Sequence, residues 1–262
     1  MKVQLFVNLA VFILSFSAQA RPLVISDIDD TIKVAHVLSQ SGAVSSALDE
    51  KSFFSGMPEI FNALRVNLKN AEFHYVSLAP RVLMEDKHED FLENQNFPVH
   101  GLHLNPGVTQ DPELKQQVIR KLIQEKQPSF ILYFGDNGQF DPAVYEQMVR
   151  EFPQIPALIF IREAYSSKGR AQSPTKPGQI KFVTSVDLGM ELKEYGLLSD
   201  KTLQNVEKIV FNKLRKEGKW QAFGEIVFPW WYDCRDFTWR WDVREDQTQL
   251  MYIADAIEKR CR

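Results

Sequence analysis

The chain has 262 residues, of which 44% are hydrophobic and 25% are charged, and its formal net charge is −3. This composition is typical of a globular protein and excludes a disordered chain, a collagen and a coiled coil. A sequence pI near 6.0 argues against electrostatic binding of nucleic acid, which needs a surplus of basic residues. The length suits one large domain or two small ones.

Residues 1–20 have the form of an export signal. Lys2 precedes the apolar residues 3–16, and Ala18-Gln19-Ala20 has the small-x-small pattern of a cleavage site. An uncleaved membrane anchor is the alternative, although the apolar stretch is shorter than the ~20 residues that span a bilayer. We therefore expect cleavage before Arg21 and export to a periplasm or the exterior, with no membrane span in the mature chain.

Short apolar runs alternate with amphipathic segments along the rest of the chain. The runs that predict strands are residues 22–26, 72–77, 99–104, 130–134, 157–161 and 181–185. The segments that predict helices are residues 58–67, 81–93, 112–126, 142–151, 186–195 and 199–216. In the third of these helices, the side chains expected to face inward are Leu114, Val118, Leu122 and Ile123. Such alternation predicts an α/β fold, with a parallel sheet covered by helices on both faces.

The C-terminal part is rich in aromatic residues. Residues 237–243 alternate apolar and polar side chains, which predicts a half-buried strand. Trp230 and Trp231 are the part expected to be exposed, where they would suit a membrane interface. Cys234 and Cys261 are either a disulfide or two buried thiols, and an exported chain favours the disulfide. Cys261 shares one helical face with four apolar residues, Leu250, Ile253, Ala254 and Ile257.

The strongest chemical signal is Asp27-Ile28-Asp29-Asp30-Thr31, which directly follows the first predicted strand. A carboxylate beside Mg²⁺ can attack a phosphate ester, because the cation screens the repulsion between anions. A second carboxylic acid two residues on can protonate the leaving group and later take a proton from water. We assign Asp27 as the nucleophile and Asp29 as the acid/base. The alternative is an acidic turn or a helix cap.

A second acidic element, residues 135–141, follows the strand at residues 130–134. Mg²⁺ prefers hard oxygen ligands, and we expect Asp136 to bind it together with Asp27 and Asp29. Asn137 and Asp141 are expected to lie just outside these ligands. Asp141 would orient a metal-bound water or Lys115, or else cap the helix that begins at Pro142.

Three further residues complete the predicted phosphate site. The hydroxyl of Ser77, at a strand end, is expected to contact the phosphoryl oxygens together with Thr31. Lys115 would offset the crowded negative charges, and Lys121 and Lys126 compete with it for this role. Parallel strands place these segments at one edge of the sheet, where ligands bind in such folds.

Together these parts resemble the haloacid dehalogenase (HAD) superfamily of phosphohydrolases. The sequence more specifically resembles the catalytic domain of the actin-patch-associated phosphatidate phosphatases and their bacterial relatives. The motifs that carry the resemblance are SDIDDTIK (26–33), FFSGM (53–57), FHYVSLAP (73–80), FPVHGLHL (97–104), FGDNGQFDPAVY (134–145) and FIRE (160–163). It implies a HAD-like Rossmannoid fold and a Mg²⁺-dependent phosphatase that converts phosphatidate to diacylglycerol, with the site residues assigned as above.

The sequence departs from the family pattern at two places. The family usually has Ser-Asn-Ser-Pro where this chain has Ser77-Leu78-Ala79-Pro80, and it often has Arg at the position of Asn105.

The segment between Thr31 and Phe53 allows a flap but no large cap domain. We expect a catalytic domain over residues 21–198 and an aromatic-rich extension over residues 199–262 packed on it.

The expected substrate is a phosphorylated molecule, with phosphatidate or a related membrane lipid phosphate in first place. One alternative is an exported phosphomonoesterase of broad specificity that acts on soluble esters. A second alternative, from another class, is a binding protein that keeps the HAD fold without catalysis. The residue types at all the expected catalytic positions argue against the second alternative.

Overall fold

In a computed structural model, the structure describes residues 21–38, 52–169, 173–216 and 224–262. The predicted export signal, residues 1–20, and the predicted flap around residues 39–47 lie outside the described residues. No helix in the described ranges has the length and apolar character needed to cross a bilayer.

Six strands form one parallel sheet. They are β1 (Leu23–Ser26), β3 (Glu72–Pro80), β4 (Gly101–Asn105), β5 (Ile131–Asp136), β6 (Ala157–Arg162) and β7 (Ile180–Phe182). Their order across the sheet is β4-β3-β1-β5-β6-β7. Since the chain runs outward from β1 in both directions, β1 and β5 flank the point where the strand order reverses. Polar groups at their carboxyl ends therefore meet in the crevice where α/β sheets bind ligands.

Seven helices are described, with two further short strands. The helices are α1 (Met57–Asn67), α2 (Arg81–Asn94), α3 (Pro112–Lys126), α4 (Asp141–Glu151), α5 (Ser185–Glu194), α6 (Asp200–Leu214) and α7 (Thr248–Arg260). The short strands β2 (Phe53–Phe54) and β8 (Glu225–Ile226) pair in parallel away from the main sheet. Among the described residues no cap domain stands over the sheet, so the predicted α/β architecture is confirmed.

The two faces of the sheet hold separate hydrophobic cores. Val24 faces the larger core, which contains residues of α1, α2, α5, α6 and α7. Leu23 and Ile25 face the smaller core, which contains residues of α3 and α4. This alternation along β1 is what a strand buried on both faces requires.

Helix α3 buries most of the face that the sequence predicts, together with Lys115 and Ile119. Its buried residues are Lys115, Ile119, Leu122 and Ile123. The predicted inward orientation of Leu122 and Ile123 is confirmed, and Val118 is half-buried against the smaller core. Leu114 is half-buried and is not among the residues of that core, so its predicted orientation is wrong. The helix turns the side of Lys115 and Ile119, which are one turn apart, toward the sheet.

The predicted strand at residues 237–243 is also wrong, because this segment forms no ladder in the described structure. Burial does alternate along it, with Trp239 and Trp241 half-buried. The segment packs instead on α5, where Arg240 Nη2 lies 2.6 Å from Glu191 Oε2 and Trp241 Nε1 donates to Glu194 Oε1 at 2.9 Å.

A disulfide joins Cys234 to Cys261. Cys261 directly follows α7, whose predicted inward face is confirmed, since Leu250, Ile253, Ala254 and Ile257 are buried. The covalent link holds the irregular aromatic segment against this helix and hence against the larger core.

Replacing both cysteines, as Cys234→Ala/Cys261→Ala, should lower the free energy of unfolding by roughly 3 kcal/mol, because the bond closes a loop with a sequence separation of 27. Urea denaturation followed by tryptophan fluorescence measures the change. Equal urea midpoints for the variant and the unreduced parent would contradict the prediction.

Candidate active site

Three carboxylates meet at the carboxyl edge of the sheet. Asp27 directly follows β1, Asp136 ends β5, and Asp141 is the first residue of α4. Their ligand atoms all lie within 4.8 Å of one another, and all three residues are buried. The backbone N–H of Asp27 donates to Phe134 O at 2.9 Å, which fixes the end of β1 beside β5. The structure therefore brings both acidic motifs into one site.

Lys115 is the lysine that reaches this cluster. Its Nζ donates to Asp27 Oδ1 at 2.8 Å and also to Asp141 Oδ1, although the residue is only 3% exposed. The two competing lysines lie elsewhere, Lys121 near Glu125 and Lys126 near Glu72. Asp141 thus contacts Lys115, which was one of its predicted alternatives.

Burial shifts the pKa values of the cluster. Desolvation raises the pKa of Asp27 well above its usual value, and the charges of Asp141 and Asp29 add to this, while Lys115 opposes it. Desolvation, Asp141 and Asp27 likewise raise the pKa of Asp136. Burial alone would lower the pKa of Lys115, but the charges of Asp141 and Asp27 raise it. The ammonium of Lys115 therefore stays protonated. Its single positive charge does not offset the desolvation and mutual repulsion of the Asp27 and Asp136 carboxylates.

The donor set fits a divalent cation. The three carboxylates of Asp27, Asp136 and Asp141 supply hard oxygen atoms, as Mg²⁺ prefers. The ionised carboxylates carry three negative charges against the single positive charge of Lys115, so a divalent cation would neutralise the cluster. This imbalance, together with the raised pKa of Asp27 and of Asp136, is compatible with a metal site.

Asp29 lies apart from the three clustered carboxylates. Its Oδ2 is 3.4 Å from Nε2 of His88, which is completely buried on α2. Burial would raise the pKa of Asp29, but His88, and then the charges of Lys33 and Lys115, lower it. The two aspartates of the first motif thus face different partners. The role of Asp29 as a metal ligand stays a prediction.

Thr31 and Ser77 lie near the carboxyl end of β1. Thr31 Oγ1 donates to Asp27 Oδ2 at 3.4 Å. Ser77 lies two positions after Tyr75, which pairs with Ser26, so it extends just beyond the end of β1 on the neighbouring strand. Its Oγ accepts from Ala79 N at 3.1 Å. Both residues lie at the carboxyl edge of the sheet, and the contact of their hydroxyls with phosphate stays a prediction.

Asn137 connects the second acidic motif to the segment after β6. Its Oδ1 accepts from the backbone N–H groups of Ala164 and Tyr165 at 3.0 and 2.9 Å. The next residue, Gly138, donates its N–H to Asp136 Oδ1 at 2.6 Å. A Cβ at Gly138 would lie 2.6 Å from the Tyr165 ring and 2.7 Å from Asp136 Oδ1. Glycine is therefore needed here to hold the Asp136 carboxylate in place.

Sequence reasoning missed Asp30, which organises the turn after β1. Its carboxylate accepts from the backbone N–H groups of Ala35, His36 and Val37, and from Tyr165 Oη at 2.6 Å. Its φ of 60° is in the left-handed region, which Asp tolerates better than most side chains. The signal in the sequence was a third aspartate in the first motif, in addition to Asp27 and Asp29, to which the chemistry was assigned.

Sequence reasoning also gave no role to Arg162, at the end of β6. This fully buried side chain donates from Nε to Thr31 O at 3.0 Å and from Nη1 to Val183 O at 2.7 Å. Its guanidinium lies 3.8 Å from the centre of the Phe54 ring. Arg162 thus links the turn of the first motif to the segment after β7. The FIRE motif was the available signal.

The strand order and the carboxylates at the ends of β1 and β5 fit a HAD-like α/β fold. The chain belongs to the family described as phosphatidate phosphatase APP1, catalytic domain, whose model matches residues 22–163. The match spans both acidic motifs, and the resemblance expected from the sequence is confirmed.

Two individual proteins are similar to parts of the chain. It is 29% identical over 216 residues to an uncharacterized protein of Schizosaccharomyces pombe, a match that covers 74% of this chain and 35% of that protein. The chain therefore spans about a third of the length of this curated relative. A solved structure of the Pnkp1/Rnl/Hen1 complex has a TM-score of 0.41 and 16% identity, covering 55% of this chain and 48% of the other.

Lys115→Met should lower kcat for phosphate release from an aryl phosphate by about 100-fold, because one preorganised positive group no longer faces the reacting oxygens. Lys121→Met is the matched control on the same helix and should retain the parent rate, since Lys121 is exposed. Steady-state kinetics with thermal melts check both variants. Equal rates for the two variants would contradict the role of Lys115 as the positive group that faces the reacting oxygens.

Proposed function

We propose that the chain is a Mg²⁺-dependent phosphatase that hydrolyses a phosphomonoester through an aspartyl-phosphate intermediate on Asp27. We further propose that the substrate is phosphatidate or a related lipid phosphate. The observation that carries the proposal is the buried cluster at the carboxyl edge, where Asp27, Asp136 and Asp141 face Lys115. The family gives the substrate class its first support.

The reaction divides between the two aspartates of the first motif. A carboxylate oxygen of Asp27 bonds to phosphorus while the bond from phosphorus to the leaving oxygen breaks, and Asp29 donates a proton to that oxygen. Water then attacks the phosphorus of the aspartyl phosphate, Asp29 takes the proton from the water, and phosphate leaves with Asp27 restored.

The remaining groups hold the nucleophile and the charge. Lys115 fixes Asp27 Oδ1, and Thr31 lies against Oδ2. Asp27 and Asp136 would hold Mg²⁺, which when bound screens the repulsion between the carboxylate and the phosphate. Burial of the cluster strengthens each of these electrostatic interactions relative to water.

Exposed apolar side chains at the carboxyl edge of the sheet support a lipid substrate. Val82 and Leu83, in the first turn of α2 after β3, are 80% and 63% exposed, and Val108, in the loop after β4, is 72% exposed. Trp230, which is 53% exposed, packs its ring edge-on to His36 in the segment after β1. Val82, Leu83 and Val108 follow the carboxyl ends of strands. Trp230 contacts His36, which lies in the segment after β1. We call these four residues the apolar rim.

An apolar rim around a phosphatase site suits a substrate that lies in a membrane. Such side chains can enter the headgroup region, where burial of apolar area gives reversible binding, and Trp favours that zone. A soluble ester would give these exposed residues no partner. The Cys234–Cys261 disulfide suits an oxidising compartment and supports the proposed export, for which residues 1–20 are the main argument.

Phosphate release by residues 21–262 tests the proposed reaction. With Mg²⁺, both phosphatidate in mixed micelles and a soluble aryl phosphate should be hydrolysed, with phosphatidate preferred. Excess EDTA should abolish release, and Asp27→Asn should do so as well, because its amide cannot attack phosphorus.

Three other outcomes would each change the conclusion. Preference for the soluble ester would replace the lipid phosphatase with a broad phosphomonoesterase. Full activity in folded Asp27→Asn would exclude the aspartyl-phosphate route. No release from any substrate by the folded parent would contradict the enzyme and favour a binding protein.

The apolar rim gives a separate test of the lipid assignment. The triple variant Val82→Ser/Leu83→Ser/Val108→Ser should bind vesicles of phosphatidylcholine and phosphatidate about tenfold more weakly, because less apolar area enters the interface. Its rate on the soluble aryl phosphate should stay unchanged. Vesicle sedimentation measures the binding.

Val66→Ser is the control for the rim. Val66 is 70% exposed but lies near the end of α1, close to the start of β3 and hence at the opposite edge of the sheet. It should bind vesicles like the parent. Equal vesicle binding by the rim variant and this control would remove the rim as support for a lipid substrate.

A further inference from the structure

Helix α2 carries a buried histidine whose partner is the proposed acid/base. His88 is completely buried, and its Nε2 lies 3.4 Å from Asp29 Oδ2. It shares the inward face of α2 with Met84, Phe91 and Leu92. A polar ring at an otherwise apolar position is costly to bury unless it bonds to another polar group. The geometry of α2 aims this ring at the first acidic motif.

The contact leaves the two oxygens of Asp29 in different environments. Oδ2 faces His88, whereas Oδ1 is buried with no hydrogen-bond partner among the described residues, and neither ring nitrogen of His88 makes a hydrogen bond of good geometry. At 3.4 Å, a small rotation of either side chain would bring the pair within hydrogen-bond distance. The contact with His88 therefore restricts the rotation of the Asp29 carboxyl group.

We infer that His88 is a positioning residue that fixes the orientation of the Asp29 carboxyl group, so that this group exchanges its proton with the leaving oxygen of the substrate and then with water. This inference rests on the proposed function. It concerns the orientation of the carboxyl group, since a general acid must lie within hydrogen-bond reach of the atom that it protonates. His88 itself neither gains nor loses a proton in this role.

The other charged groups that face Asp29 do not replace this contact. Lys33 and Lys115 act on Asp29 through their charges. Lys33 Nζ lies 5.7 Å from the centre of the Phe91 ring, and Lys115 is hydrogen-bonded to Asp27 and Asp141. Of these groups, the described structure places the imidazole of His88 within 3.4 Å of the Asp29 carboxyl group.

The test depends on how much each substrate needs a proton on its leaving group. An alkyl phosphate has a strongly basic leaving oxygen, which must be protonated as it departs, whereas a p-nitrophenyl group leaves readily without a proton. His88→Ala should lower kcat/KM for a soluble alkyl phosphate about 100-fold and for p-nitrophenyl phosphate roughly threefold or less, because kcat/KM reports the transfer of the phosphoryl group to Asp27, the step in which the leaving group departs. His88→Gln should restore much of the alkyl rate, since its amide can donate to Oδ2.

Met84→Ala is the control for packing damage, because Met84 is buried on the same face of α2. It should change both substrates by the same factor. If His88→Ala does not fold, His88→Asn, whose shorter amide does not reach Asp29, gives the same comparison with His88→Gln.

Each remaining outcome contradicts either the inference or its basis. Equal losses of kcat/KM on both substrates in His88→Ala would show a structural role only, and unchanged kcat/KM values would show no role. Absence of phosphate release by the folded parent would overturn the proposed function itself, and that outcome is distinct because it is seen before any variant is compared.

Discussion

Three buried carboxylates facing one ammonium impose the main constraint on this structure. Asp27, Asp136 and Asp141 lie within 4.8 Å of one another in a region of low exposure, where unpaired charge is costly. Lys115 offsets part of that charge from an inward position on α3, where Ile119 is also buried. The remaining negative charge makes the cluster compatible with a divalent cation.

The surrounding fold holds these carboxylates through fixed backbone contacts. Asp30 collects three backbone N–H groups and the Tyr165 hydroxyl, while Arg162 donates to Thr31 O. Asn137 binds the segment after β6. These contacts link the segments after β1, β5 and β6 to one another. A site held in this way needs little reorganisation when charge develops during reaction, and such preorganisation supplies much of the rate acceleration of many enzymes.

The sequence predicted the parts of the structure that local patterns encode. Alternating apolar and amphipathic segments predicted the sheet, and the position of the acidic motifs directly after two strands placed Asp27 and Asp136 at its edge. The choice of Lys115 depended on the family resemblance, because Lys121 and Lys126 occupy the same predicted helix.

What the sequence did not reveal depends on contacts between distant segments. His88 and Asp29 are far apart in the chain, and their proximity follows from how α2 packs on the sheet. The available signal was a histidine on a helix face that also carries Met84 and Phe91. The strand expected at residues 237–243 was wrong for a related reason. Alternation reports which side chains are buried, whereas a strand also needs a neighbouring ladder, and here the segment packs on α5.

The most direct measurement is a crystal structure of residues 21–262 with Mg²⁺ and beryllofluoride, which mimics a phosphoryl group on a carboxylate. Our account predicts beryllium bonded to an oxygen of Asp27, Mg²⁺ held by Asp27 and Asp136, and Lys115 still bound to Asp141. Beryllofluoride absent from Asp27, with Mg²⁺ bound away from the cluster, would contradict the account.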